Sequence, residues 1–274
     1  MEYIYRLAGI QIACSLPFSL DICAESREFL ELGSAEGDLQ LIVEAVDALP
    51  PPSGLQVAER YYDGECTWFS IAKDYPPYAM TRHSQKEIHV SYLKDQKHRL
   101  DDSPHLCDIL ALERFLPLWD TMILHCSFLR INGQAILFSG PSGIGKSTQA
   151  ALWERHTSAE LCNGDRAALR LQEGQWSAHG IPYAGSSRVY RNASAPCRAI
   201  VMLGQASENR LHRLSPREAF VSLYPEVTLH HWEKNMVERV TALLSDLVCK
   251  IPVYRLDCLP DEQAVQLLYQ EVFP

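Results

Sequence analysis

Along the first hundred residues, apolar positions alternate with polar ones more often than they recur at helical spacing. The stretch EYIYRLAGIQIAC (residues 2–14) is apolar and partly alternating, and EIHVSYL places Ile88, Val90 and Tyr92 on one face of an extended chain. Both predict strands. Residues 48–54 carry three prolines and read as a loop, because proline cannot donate to a sheet ladder. A helix is signalled next: Ser103 as N-cap, Pro104 at the first helical position, then Leu106, Ile109, Leu110 and Phe115, with Pro117 ending or kinking it. The polar run KDQKHRLDDS marks a boundary. The pattern predicts a smaller, mostly β domain over 1–100 and a second domain over 101–274.

In the second domain, Asn132-Gly133 sits between two apolar runs and reads as a two-residue hairpin turn. It pairs the strand carrying His125 antiparallel with a short buried strand at 135–139. Further strands are predicted at 159–163, 166–172, 175–179, 197–204 and 252–259. Helices are predicted at 215–223, opened by a Ser215…Glu218 capping box, at about 231–249, and at 261–273. An antiparallel neighbour departs from ordinary doubly wound sheets, so the reading is an α/β domain with a mixed sheet.

The chemistry concentrates where that short strand ends. Gly140, Pro141, Ser142, Gly143, Ile144, Gly145, Lys146 and Ser147 have the G-x-x-x-x-G-K-S spacing, followed by Thr148 and a helical pattern. Glycines let successive backbone N–H groups turn inward as an anion-binding nest, and the helix that follows adds the positive end of its dipole. Strand, loop and helix come in the order a phosphate-cradling loop requires. Lys146 is expected to reach the outer phosphates of a nucleotide, and the Ser147 hydroxyl to hold Mg²⁺.

Composition narrows the class. With 47% hydrophobic and 22% charged residues the chain reads as a soluble globular protein. There is no 18-residue apolar run, so no membrane span is expected, and an early acid without a basic segment argues against a signal peptide. Nine scattered cysteines without a C-x-x-C pair fit a reducing cytoplasm better than disulfides or zinc. A net charge of −9 disfavours nucleic acid as a partner. Residues 24–65 are rich in acids, whereas 166–218 hold eight arginines. These are either two solvated faces or, in the second case, a surface for phosphates or an anionic substrate.

The segment from His125 to Arg166 resembles the HPr kinase/phosphorylase family and its relative, ATP-type phosphoenolpyruvate carboxykinase. His125 lies 15 positions before Gly140, as that family's active-site histidine does, GPSGIGKST fits the family loop, and CNGDRAAL stands where the family has Asp-Asp-Arg. The resemblance covers about residues 122–205 and is closest to the small kinase-like members. It implies a mixed-sheet kinase fold, ATP and Mg²⁺ as cofactors, and phosphoryl transfer to a hydroxyl, with a serine of a peptide or small protein as acceptor. It also implies a homo-oligomer. On this alignment Asp165 keeps the metal role, and Gly164 replaces the family's base. His125 or Asp165 is then the substitute base. The stretch 179–192 is where the superfamily places substrate- and phosphate-contacting loops, which makes Arg188 and Arg191 candidates for neutralising phosphate charge and Ser186 or Ser187 candidate donors. The empty base position leaves two other readings open, a nucleotide-binding regulatory or accessory protein that has lost catalysis and a small-molecule kinase.

Overall fold

The N-terminal alternation resolves into a hairpin rather than one strand. In the computed structural model β1 (Glu2–Leu7) and β2 (Ile10–Ser15) are joined by Ala8 and Gly9, both at positive φ (50° and 72°), a turn matched to the twist of the paired strands. The structure describes residues 1–34, 36–183 and 188–274. These divide into two units, Met1–Trp119 and Asp120–Pro274.

The first unit continues with β3 (Leu30–Leu32), β4 (Leu39–Val46), β5 (Leu55–Val57), β6 (Arg60–Tyr62), β7 (Cys66–Ser70), β8 (Pro77–His83) and β9 (Glu87–Leu93). They form a nine-stranded mixed sheet in the order β3-β1-β2-β4-β9-β8-β7-β6-β5. Two short helices follow, α1 (Ser103–Ile109), capped by the Asp102 carboxylate on the His105 N–H, and α2 (Leu112–Phe115). Between them Ala111 takes φ 47°, so the single helix expected before Pro117 is broken six residues early.

The boundary falls at 119/120 rather than at 100/101. The helices belong with the first unit because their carbonyls and side chains complete its sheet. Thr81 Oγ1 donates to Ile109 O at 2.6 Å, and the Arg114 guanidinium donates to Cys66 O, Thr67 Oγ1 and Asp63 O. Leu106 and Phe115 are fully buried.

The second unit begins with β10 (Thr121–Ile131) and β11 (Gln134–Ser139), joined by Asn132 (φ 51°) and Gly133 (φ 72°) as the expected two-residue turn. Then come α3 (Lys146–His156), β12 (Glu160–Asn163), β13 (Arg166–Gln172), β14 (Gln175–Gly180), β15 (Ser194–Gln205) and β16 (Arg210–Arg213). The chain closes with α4 (Pro216–Leu223), α5 (Lys234–Lys250), β17 (Val253–Cys258) and α6 (Glu262–Val272). The Ser215–Glu218 capping box opens α4 in both directions.

β11 lies between antiparallel β10 and parallel β15, and β15 is parallel in turn to β17, so the sheet is mixed. β10 pairs β13 along its first half and β12 along its second, and the turn between β12 and β13 therefore rides on the middle of β10. Helices cover both faces. Trp153 of α3 is fully buried with its ring edge-on to Phe138 of β11 at 5.8 Å, while Leu244 and Leu247 of α5 fill the opposite core with Phe128 and Leu137. Each such fully buried side chain contributes about 1.5–3 kcal/mol. Among the described residues, no helix is long and apolar enough to cross a membrane.

Candidate functional site

The chain leaves β11 at Ser139 and turns through three glycines in the left-handed half of backbone space: Gly140 (φ 137°), Gly143 (φ 80°) and Gly145 (φ 119°). L-residues with a Cβ rarely adopt these angles, which accounts for the glycine spacing. Gly145 is the N-cap of α3 and, lacking a side chain, caps none of its N–H groups. Its first backbone N–H groups are accordingly available to an anion, with the helix dipole favouring one there. Ser142, Gly143, Ser147 and Thr148 are exposed, Ile144 and Gly145 half-buried.

Lys146 stands apart within this loop. It is 8% exposed, and its ammonium donates to Gly140 O at 2.7 Å and Pro141 O at 3.1 Å, folding across the loop's own carbonyls. Burial pushes its pKa below the ordinary lysine value, and the negative charges of Glu226 and Asp165 oppose that shift. Both of these carboxylates lie on other elements.

Asp165 is held by the turn between β12 and β13. Its backbone carbonyl accepts from the Cys126 N–H at 3.0 Å, and its own N–H donates to Asn163 Oδ1 at 2.9 Å. Asn163 is fully buried, and its amide donates to Ile181 O and Tyr183 O, fixing the turn from behind. Gly164 has its carbonyl on Ser127 Oγ and its N–H on Val189 O, and it is not among the glycines at positive φ.

His125 projects from β10 one residue before Cys126, which pairs with Ser139 at the mouth of the loop. The imidazole lies between two carboxylates: Nε2 is 3.9 Å from Asp165 Oδ1, and Nδ1 is 3.0 Å from Glu226 Oε2. Glu226 is absent from the sequence expectations. It ends a short turn after α4 (Tyr224–Glu226), and the chain beyond it is pinned to the edge of β10 by a Leu124–Val227 bridge and by the Thr228 N–H on Ile123 O. The Glu226 side chain is 10% exposed. No local pattern announces a contact 101 residues away. Asn163 left more of a trace, because an asparagine two residues before an aspartate is an Asx-turn signature.

The structure brings His125, Lys146 and Asp165 together and leaves Arg191 out. The Arg191 N–H donates to Cys162 O, and its guanidinium pairs with Glu160, which also receives Arg130 at 2.7 Å. Glu160 stands opposite Arg130, near the Asn132-Gly133 turn and away from the mouth of the loop. The cation expected at the phosphates is thus spent on an ion pair at the other end of the hairpin. Arg188 is exposed, and Ser186 and Ser187 lie outside the described residues.

No group of three or more His, Cys, Asp or Glu side chains able to hold a metal by themselves occurs among the described residues. A hydroxyl and one carboxylate, those of Ser147 and Asp165, suit Mg²⁺, which keeps several waters and takes other ligands from substrate phosphates.

A family model described as SynChlorMet cassette protein ScmC matches residues 109–260, more than half of the chain. It is a different family from the HPr kinase/phosphorylases that the loop region resembles. No curated protein matches the chain. Among solved structures, the Hpr(Ser) kinase/phosphatase from Coxiella burnetii is similar at 14% identity and a TM-score of 0.30, over 54% of this chain and 91% of its own.

Proposed function

We propose, from the premise that the chain belongs to the SynChlorMet cassette protein ScmC family, that it binds a nucleoside triphosphate with Mg²⁺ and transfers the terminal phosphoryl group to a hydroxyl of a peptide or small protein. One observation carries this reading: three positive-φ glycines and a glycine N-cap surround a buried lysine whose ammonium donates to two of the loop's own carbonyls. Those carbonyls are poor counter-charges, and a phosphate replaces them with a charge-assisted contact.

The loop N–H groups and Lys146 hold the phosphates, and Ser147 and Asp165 hold the metal ion. Mg²⁺, when bound, neutralises phosphate charge. Glu226 can only accept from Nδ1 of His125, which fixes the tautomer and leaves Nε2 as the free base on the Asp165 side. The acceptor oxygen bonds to the terminal phosphorus, the bond to the bridging oxygen breaks, the nucleoside diphosphate departs, and the hydroxyl proton passes to His125 Nε2. His125 with Glu226 thus fills the position emptied at Gly164. Arg191 has no part in this scheme.

Calorimetric titration with Mg-ATP tests the binding half. Lys146→Ala lowers affinity by about 1–3 kcal/mol, the range for a charge-assisted contact. An unchanged affinity overturns the loop as the site. The bare Gly164 favours a second reading, a nucleotide-binding accessory protein without transfer. Tight Mg-ATP binding with no turnover toward any acceptor selects it.

A further inference from the structure

Of the eight arginines between 166 and 218, four are engaged within the second unit. Arg166 meets Asp165, Arg170 is buried, Arg191 pairs with Glu160, and Arg198 donates to Val272 O. Three others, Arg210, Arg213 and Arg217, are exposed on β16 and the first turn of α4. β16 is also an outer edge of the sheet. The edge of β12 is covered by the chain at 189–191, through the Gly164 N–H on Val189 O, an Asn163–Tyr190 bridge and the Arg191 N–H on Cys162 O. Among the described residues, β16 pairs with β17 on one side and with no strand on the other.

Register decides what that open side presents. The Leu214 N–H donates to Val253 O, so these two residues form a hydrogen-bonded pair, and in an antiparallel ladder such pairs alternate. Leu211 and Arg213 fall in the other pairs, and their N–H and C=O groups point away from β17. Beside them a groove of about 410 Å³, lined by Leu211, Arg213, Tyr254, Leu267 and Glu271, runs between the edge and α6.

We infer that β16 takes on an added strand, an extended acidic segment of the acceptor peptide or protein. The inference rests on the phosphoryl-transfer reading for the identity of that occupant. The outward N–H and C=O groups supply backbone pairing, and the groove receives alternate side chains. Arg210 is paired with Glu208, whereas among the described residues Arg213 and Arg217 have no carboxylate within ion-pairing distance. Cations on an open edge keep two copies of it apart and favour a strand that carries carboxylates. From β16 to β10 there are four strand spacings, by way of β17, β15 and β11. At about 4.8 Å each these make about 19 Å, which an extended chain crosses in about six residues. The docked segment therefore lies at least about six residues from the hydroxyl presented to His125.

Fluorescence anisotropy without nucleotide tests the edge, using labelled octapeptides and the full chain. An alternating Glu-Val peptide is expected to bind at least about 10-fold more tightly than Lys-Val, or than Glu-Val methylated at its backbone nitrogens. Arg213→Pro removes an outward N–H that β17 does not use and should abolish binding, while Arg213→Glu should reverse the preference. Unchanged thermal unfolding shows that both variants are folded. Equal binding of the methylated peptide overturns strand addition, and equal binding of Lys-Val overturns the acidic occupant. A wild-type dimer that Arg213→Pro dissolves gives the edge to a second copy and overturns the inference. A serine joined to the Glu-Val peptide by a glycine-alanine spacer then tests the occupant. With Mg-ATP, phosphorylation is expected through a spacer of about ten residues and at least about 10-fold less through one of about two, or in Arg213→Pro. Equal phosphorylation of wild type and Arg213→Pro reactions overturns the dock. Binding without phosphorylation at either length overturns phosphoryl transfer, and with it the acceptor as occupant.

Discussion

The two ends of the β10–β11 hairpin carry charges of the same kinds in opposite circumstances. At the turn end, Arg130 and Arg191 share Glu160, with side chains 35–50% exposed. Water and each other satisfy these charges, and pairs of this kind contribute between nothing and about 1 kcal/mol. At the loop end, Glu226 is 10% exposed and Lys146 8%, and among the described residues no arginine pairs with Glu226, whereas Asp165 meets Arg166 at 3.3 Å. Buried charges that lack full compensation are costly unless something binds to complete them. The same pair of strands thus presents a finished surface at one end and buried, partly compensated charges at the other. Burial, more than residue identity, separates them.

The contrast breaks most severely at the loop end. His125→Ala and Glu226→Ala are each expected to lower phosphoryl transfer about 10²-fold, roughly 2.7 kcal/mol, as for loss of a proton acceptor or of its orientation. Affinity for Mg-ATP should stay within about twofold, and Glu226→Gln, which keeps an acceptor oxygen, should be the milder change. Steady-state kinetics beside calorimetry separates the two effects. A loss of affinity as large as the loss of rate would place the pair in binding instead.

A smaller effect sharpens the comparison along β14. His179 is pushed by burial, with Arg170 adding to it, from 6.5 to about 4. Below pH 6.5 the unfolded chain therefore takes up a proton that the folded chain refuses. Its stabilising contribution is complete above 6.5 and lost as pH falls toward 4, with a slope of at most about 1.4 kcal/mol per pH unit. Thermal unfolding of His179→Asn between pH 7 and 4.5 should be flatter than wild type by that amount. Parallel curves would show that the ring is protonated without penalty in the folded chain.

The turn end supplies the smallest effect. Arg191→Ala should change unfolding free energy by less than about 0.5 kcal/mol and leave Mg-ATP affinity untouched. A clear fall in affinity would restore Arg191 to the phosphates.

What the sequence made legible is what local chemistry determines. Asn132-Gly133, the Ser215–Glu218 capping box and the spacing of Gly140, Gly143 and Gly145 each act over a few residues, and each stands in the structure at that position. The break at Ala111, at a φ of 47°, was invisible because neither glycine nor proline marks it. The unit boundary was misplaced for the same reason, since the polar run at 94–103 precedes helices that complete the sheet before it. Arg191 misled because proximity in sequence to a predicted substrate loop says nothing of direction. Glu160, on the neighbouring strand, decides where that side chain points. Glu226 was unreadable for want of any local signature.

The 101-residue separation of His125 and Glu226 also has a kinetic meaning. The hairpin and the glycine loop are contiguous, whereas joining His125 to Glu226 closes a loop whose entropy exceeds that of the hairpin turn by about 3 kcal/mol. Long-range contacts of this kind form late in folding. A refolding chain should recover nucleotide affinity first and turnover only when the segment after α4 docks on β10. Affinity then marks formation of the hairpin, and turnover marks closure of the whole unit.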